Sequence, residues 1–316
     1  MRITIVSMLM FIPSTIVCAG EKATPLEIEA HRNEIFSLAF SPNGKVLASA
    51  CKDRTIGLWD AETGKEIRML KGHTGDVLRV AFAPDGKKLA SGAADNAVRI
   101  WDAESGECLR TIDKAHGAYV AGVAFSPDGK WLASASADKT ACIWNVETGE
   151  RRIQYKGHTS EVYAAVFDPN GKVVATAGKD KTIQLWNAET GETIRTLKGH
   201  EGDVYTLAFD KDGKTLASCS SDGAVRIWNA SSGELIRKLP GHKAAAYTVV
   251  FQGDELLSSS ADRMVKIWEP ASGKETRTLP AHKNEVYAVA STPDGSRMAS
   301  ASRSGVIHLY QAGAGK

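Results

Sequence analysis

A histidine, a hydroxyl and an aspartate recur in fixed order along this chain, each time followed by a tryptophan. His73, Ser91, Asp95 and Trp101 form one set; His200, Ser218, Asp222 and Trp228 form another. Imidazole, hydroxyl and carboxylate are the parts of a nucleophilic triad: a base, a nucleophile and a group that orients the base. Histidine and aspartate are also metal ligands. Repetition argues against both chemistries. The further sets are His31, Ser49, Asp53 and Trp59; His116, Ser134, Asp138 and Trp144; His158, Thr176, Asp180 and Trp186; and His242, Ser258, Asp262 and Trp268. Catalysis needs one set, and no cleft or oxyanion donors are indicated beside any of these. Ligands of one metal must converge within a few ångströms. The histidines from His31 to His282 instead fall at intervals of 42, 43, 42, 42, 42 and 40 residues. No catalytic residue, metal or cofactor is expected.

Such a period is the signature of a repeat architecture, and each repeat has the same local grammar. An apolar stretch such as Val204–Phe209 follows the histidine. A turn comes next: SPNG at 41–44, APDG at 83–86, SPDG at 126–129, DPNG at 168–171, DKDG at 210–213 and TPDG at 292–295. Proline presets φ there, and Asn or Asp with glycine tolerates the remaining angles. A second apolar run (Thr215–Cys219), a tight turn around the aspartate, a third run ending in the tryptophan (Ala224–Trp228) and a fourth (Glu66–Leu70 in its own unit) complete the pattern. Four short strands joined by tight turns make one small antiparallel sheet. No stretch of helical periodicity competes. One sheet cannot bury both faces alone, but sheets stacked radially bury each other.

The chain thus resembles the WD-repeat (WD40) β-propeller family. Gly-His at 72–73, 157–158, 199–200 and 241–242 and Trp-Asp at 59–60 and 101–102 carry the resemblance. Ala-His replaces Gly-His at 30–31, 115–116 and 281–282; Trp-Asn replaces Trp-Asp at 144–145, 186–187 and 228–229. The implied fold is all-β: a seven-bladed β-propeller with four antiparallel strands per blade. The segment PLEIEAH at 25–31 matches EIRMLKGH at 66–73. Residues 24–29 are therefore expected to supply the outer strand of the last blade, closing the ring. The resemblance also implies that each set forms a hydrogen-bonded chain of Trp, Ser or Thr, His and Asp that serves structure. The seventh unit departs, with Ser304 for aspartate, Tyr310 for tryptophan and Ser291 where the others have phenylalanine. It is expected to be the loosest blade. His308 lies outside the pattern and is expected to be an ordinary strand residue.

The first twenty residues, MRITIVSMLMFIPSTIVCAG, differ from the rest. An early cation, an apolar middle and small residues read as a secretory signal, cleaved after Ala19 or Gly20. A single domain over 21–316 and export to the periplasm or medium are then expected, with membrane attachment only if the segment is kept as an anchor. Net charge is +2 without a long basic run, which argues against nucleic-acid partners. Cys51, Cys108, Cys142 and Cys219 sit in apolar runs and are expected to be small buried hydrophobes.

If the repeated sets are scaffold, recognition belongs to residues that vary between units. The resemblance points to three positions near the channel entrance. Five residues after each histidine stand Phe36, Leu78, Ala121, Tyr163, Tyr205, Tyr247 and Tyr287. Three after it stand Glu34, Asp76, Tyr119, Glu161, Asp203, Ala245 and Glu285. Before each aspartate stand Lys52, Ala94, Ala137, Lys179, Ser221 and Ala261, with Arg303 equivalent. The expected function is a non-catalytic, monomeric platform for a protein or peptide. Its partner's basic groups would meet the carboxylates while its apolar groups meet the rings. The alternative is an exported enzyme or small-ligand binder that uses the central channel.

Overall fold

The structure is a computed structural model that describes residues 25–280 and 282–311. The expected signal over 1–20 lies outside them. Among the described residues there is no helix, and hence none long and apolar enough to cross a membrane. Twenty-eight strands form seven four-stranded antiparallel sheets. The first sheet runs from the axis outward through Ile35–Phe40, Val46–Cys51, Thr55–Asp60 and Glu66–Lys71. Five more follow the same order. The seventh takes Val286–Ser291, Arg297–Ser302 and Val306–Gln311 from the end of the chain and its outer strand, Leu26–Glu29, from the beginning. Leu26 pairs with Leu309 and Ile28 with Ile307, so the ring closes as expected.

The second strand of each blade lies inside the sheet between two neighbours, and the run Ala133-Ser134-Ala135 is wholly buried. Larger apolar side chains fill the space where neighbouring blades meet. Every apolar cluster draws on two adjoining sheets: Ala133 and Ile143 of blade three pack with Val162, Val174 and Trp186 of blade four. The last such interface joins Ile307 and Leu309 to Ile35 and Leu47 of blade one, with Ile28 between them.

The turns account for the Trp-Asp and Trp-Asn alternation. Asp60 Oδ1 accepts the backbone N–H groups of Glu62 and Thr63, and Asn145 Oδ1 accepts those of Glu147 and Thr148. A side-chain carbonyl does this as well as a carboxylate. Gly106 in the same turn of blade two has φ 77, and an added Cβ would lie 2.3 Å from the Arg68 side chain of blade one. The sixth blade replaces its proline turn with a two-residue hairpin, Gln252 pairing with Glu255 across Gly253 (φ 56) and Asp254. Cys51, Cys142 and Cys219 are buried, but Cys108 is exposed, because it lies on an outer strand where the apolar run faces solvent.

Candidate functional site

The six sets assemble as continuous hydrogen-bonded chains inside the blades. In blade three the Trp144 indole N–H donates to Ser134 Oγ at 2.7 Å, Ser134 Oγ lies 2.7 Å from His116 Nε2, and His116 Nδ1 lies 3.0 Å from Asp138. An indole only donates and a carboxylate only accepts, so the proton order runs one way: serine donates to Nε2, and Nδ1–H donates to aspartate. The same contacts join His31, His73, His158, His200 and His242 to their hydroxyl and carboxylate partners within 2.7–3.1 Å. Burial alone would raise the pKa of each aspartate. Hydrogen bonds from histidine and backbone outweigh it, and Asp95, Asp180 and Asp262 fall to about 2. Asp53, Asp138 and Asp222 are also lowered.

This geometry limits what the triads can do chemically. Each hydroxyl is fully buried and already accepts an indole N–H, so it has no path to a carbonyl carbon. His31, Cys51 and Asp53 bring potential ligand atoms within 4.8 Å of one another. Both His31 nitrogens are engaged there, and burial pushes the Cys51 thiol up to about 12, so hydrogen bonding accounts for the cluster. Replacing Ser134 by alanine orphans a buried indole N–H and a buried imidazole nitrogen, and is expected to cost about 2–4 kcal/mol. Ser134→Thr should be nearly neutral, since blade four uses Thr176 in this place. Urea unfolding of the two variants checks this; a Ser134→Ala cost below about 0.5 kcal/mol would remove the network from the stability account.

Residues two positions before the tryptophan modify this pattern, which the motif does not announce. Arg99 and Arg226 place Nη1 at 2.9 and 2.8 Å from Asp95 and Asp222, beside the imidazole. Burial, aided by these guanidinium charges, lowers His73 and His200. His308 holds the equivalent position in blade seven. It is not an ordinary strand residue: it stacks on His282 with ring centroids 3.8 Å apart. His282 keeps its bond to Ser300 at 2.7 Å, while Ser304 bonds Ser302.

The variable residues meet at one end of the channel, and a backbone device puts them there. The register of every inner strand slips by one residue at its start: between Ile35 and Ser37, Val77 and Arg79, Val120 and Gly122, and so on around the ring. The skipped residues are Phe36, Leu78, Ala121, Tyr163, Tyr205, Tyr247 and Tyr287. A β-bulge re-aims its extra side chain, and here it delivers one per blade to the mouth. All seven line a pocket of about 250 Å³, together with Arg79, Thr206 and Thr248. Tyr163, Tyr205, Tyr247, Tyr287 and Phe36 form an unbroken arc with successive ring centroids 5.7, 5.6, 5.0 and 5.9 Å apart.

Charges around the arc are largely spoken for. Glu161 accepts Lys179, Tyr119 and Tyr163 at 2.8–2.9 Å, and these donors hold its carboxyl at about 2. Glu34 sits 3.1 Å from Arg303 and 3.5 Å from Lys52. Glu285 accepts Tyr287 at 3.0 Å. Among the described residues, Asp76 and Asp203 have no ion-pair partner. The conspicuous omission of the motif reading is Arg79, a cation within the channel. A comparison of the inner strands column by column would have found it, since the equivalent residues are Ser37, Gly122, Ala164, Thr206, Thr248 and Ala288.

The family model described as WD domain, G-beta repeat matches residues 23–60, 64–102, 106–145, 149–187, 191–229, 233–269 and 273–311. Each matched segment begins with the outer strand of one blade and continues with three strands of the next, so the segments interlock the sheets they build. A search of curated proteins returned no match.

Proposed function

From the premise that this chain belongs to the WD domain, G-beta repeat family, we propose that it is a non-catalytic platform holding a protein or peptide partner at the aromatic mouth. Propellers of this family generally serve as scaffolds for protein interaction. The arc from Tyr163 to Phe36 is the observation that carries the assignment to this face. The bulges present large, stiff rings with hydroxyl handles, which give contact area at little entropic cost. Charge at the rim narrows the partner. Three of the carboxylates are satisfied within the chain, which leaves Asp76 and Asp203 to meet basic groups. The best partner is a segment with apolar anchors and one or two cations placed over blades two and five.

Replacing Tyr163, Tyr205 and Tyr287 together by alanine is expected to abolish capture of proteins that the native chain retains and mass spectrometry identifies. Loss of central aromatic anchors typically costs at least about 2 kcal/mol each at such interfaces. A melting curve for the variant controls for folding. Capture of the same proteins in the same amounts would place recognition elsewhere on the propeller.

A further inference from the structure

Among the described residues, Arg79 is the only charged one that lines the mouth pocket. It follows the bulge in blade two and lies opposite Gly92. Burial lowers its pKa, and the one ionisable neighbour acting on it is Cys219. That thiol is itself pushed up to about 12 by burial, so it supplies no negative charge at neutral pH. No hydrogen bond or ion pair to the guanidinium is present among the described residues. The nearby hydroxyls do not help: Thr206 is committed to the Tyr247 carbonyl and Thr248 to the Tyr287 carbonyl.

A half-buried guanidinium with no protein partner in an apolar pocket gives up part of its hydration, at some cost. Six blades avoid the cost with small or hydroxyl residues at this position, so packing gives no reason for an arginine here. The guanidinium offers parallel N–H donors whose best match is a planar, bidentate acceptor. The pocket, at about 250 Å³, is smaller than the roughly 300–1,000 Å³ typical of small-molecule sites and takes one side chain of a larger partner. Five rim carboxylates against three rim cations oppose a dianion more than a monoanion.

We propose that Arg79 binds a carboxylate carried by the partner peptide, an Asp or Glu side chain or a chain terminus that passes the aromatic arc and enters the channel. The inference rests on the mouth being the binding face and specifies its chemistry. The partner then alternates in charge, with a carboxylate in the channel and cations over Asp76 and Asp203.

The test uses the full chain and three probes: the peptide acetyl-Lys-Gly-Glu-Gly-Lys-amide, its Gln analogue, and its phosphoserine analogue. Binding is followed by the Arg79 side-chain Nε–H resonance and by calorimetry. The Glu peptide is expected to shift that resonance saturably and to bind about tenfold or more tighter than the Gln peptide, the effect of one charge-assisted bond. Arg79→Met is expected to erase that difference and, without ligand, to raise the melting temperature, whereas a structural role would lower it. Equal binding of the Glu and Gln peptides, or tighter binding of the phosphoserine peptide, overturns the proposal. N-acetylglutamate binding as tightly as the Glu peptide overturns its peptide source. If Tyr163, Tyr205 and Tyr287 prove dispensable for capture while the Glu peptide still titrates Arg79, the platform reading fails and the carboxylate site stands. If the tyrosines are needed and the Arg79 resonance does not respond, the reverse holds.

Discussion

A chain lacking residues 25–30 is expected to melt at least 10 °C below the native protein. The segment is short, but its position gives it leverage. Its backbone pairs with Val306–Leu309 over four residues, and His31 N–H donates to the Gly305 carbonyl at 3.0 Å. Ile28 and Ala30 are buried between the last blade and the first. Losing one buried isoleucine costs about 1.5–3 kcal/mol, and the strand hydrogen bonds add about 1 kcal/mol each. A total near 4–6 kcal/mol corresponds to roughly 10–20 °C at about 2–4 °C per kcal/mol. Removal also exposes Val306–Gln311 as an unpaired edge, a template for association with other chains. Calorimetry with light scattering reads both effects. Ile28→Asp, which keeps the strand but destroys its buried contact, is expected to reproduce about half the loss. An unchanged melt in the truncated chain would mean that the ring is held without its clasp.

What could be read from the residues beforehand follows a physical division. Turn chemistry and burial are local, so the strand pattern is legible in the residues: the closing strand is expected over 24–29 and spans Leu26–Glu29. The pairing of each histidine with its hydroxyl and aspartate was legible because antiparallel strands carry His116 and Asp138 to the same end of a blade. Side-chain competition was not legible. Whether Glu34 or Glu161 faces a partner depends on Arg303, Lys52 and Lys179 reaching it first, and Arg303 stands 269 residues away from Glu34 in the chain. Cys108 escaped the burial rule because it lies on an outer strand, which has no neighbour beyond it and leaves its apolar run facing solvent. Arg79 and His308 share another reason. Repeats draw attention to what recurs, whereas both residues matter because they break their column.

Acid is expected to open the seventh blade before any other. In the other six, aspartate faces the imidazole; here Ser304 stands in its place and His308 stacks against His282. Burial, and then the charge that His308 would carry, lower the His282 pKa to about 3, against an unfolded value near 6.5. The folded blade therefore holds His282 neutral while the unfolded chain takes up a proton first. Its contribution to stability is complete above about pH 6.5 and drains away as pH falls toward 3, with a limiting slope near 1.4 kcal/mol per pH unit. His73 and His200, also lowered, act in the same direction. The lowered aspartates add their loss only below about pH 4, their unfolded value. Between pH 7 and 5 the histidine effect is on the order of 2 kcal/mol for His282 alone. Blade seven also carries Ser291 where the other six have a phenylalanine, which leaves less apolar contact at its interface. Hydrogen exchange should thus find the amides of Val286–Ser291 and Arg297–Ser302 least protected at pH 7, with their protection falling further at pH 5. His282→Gln should lower stability at pH 7 yet flatten its dependence over this range. A slope that survives His282→Gln, or a seventh blade that exchanges most slowly, would mean that the stacked imidazoles do not set the weak point of the ring.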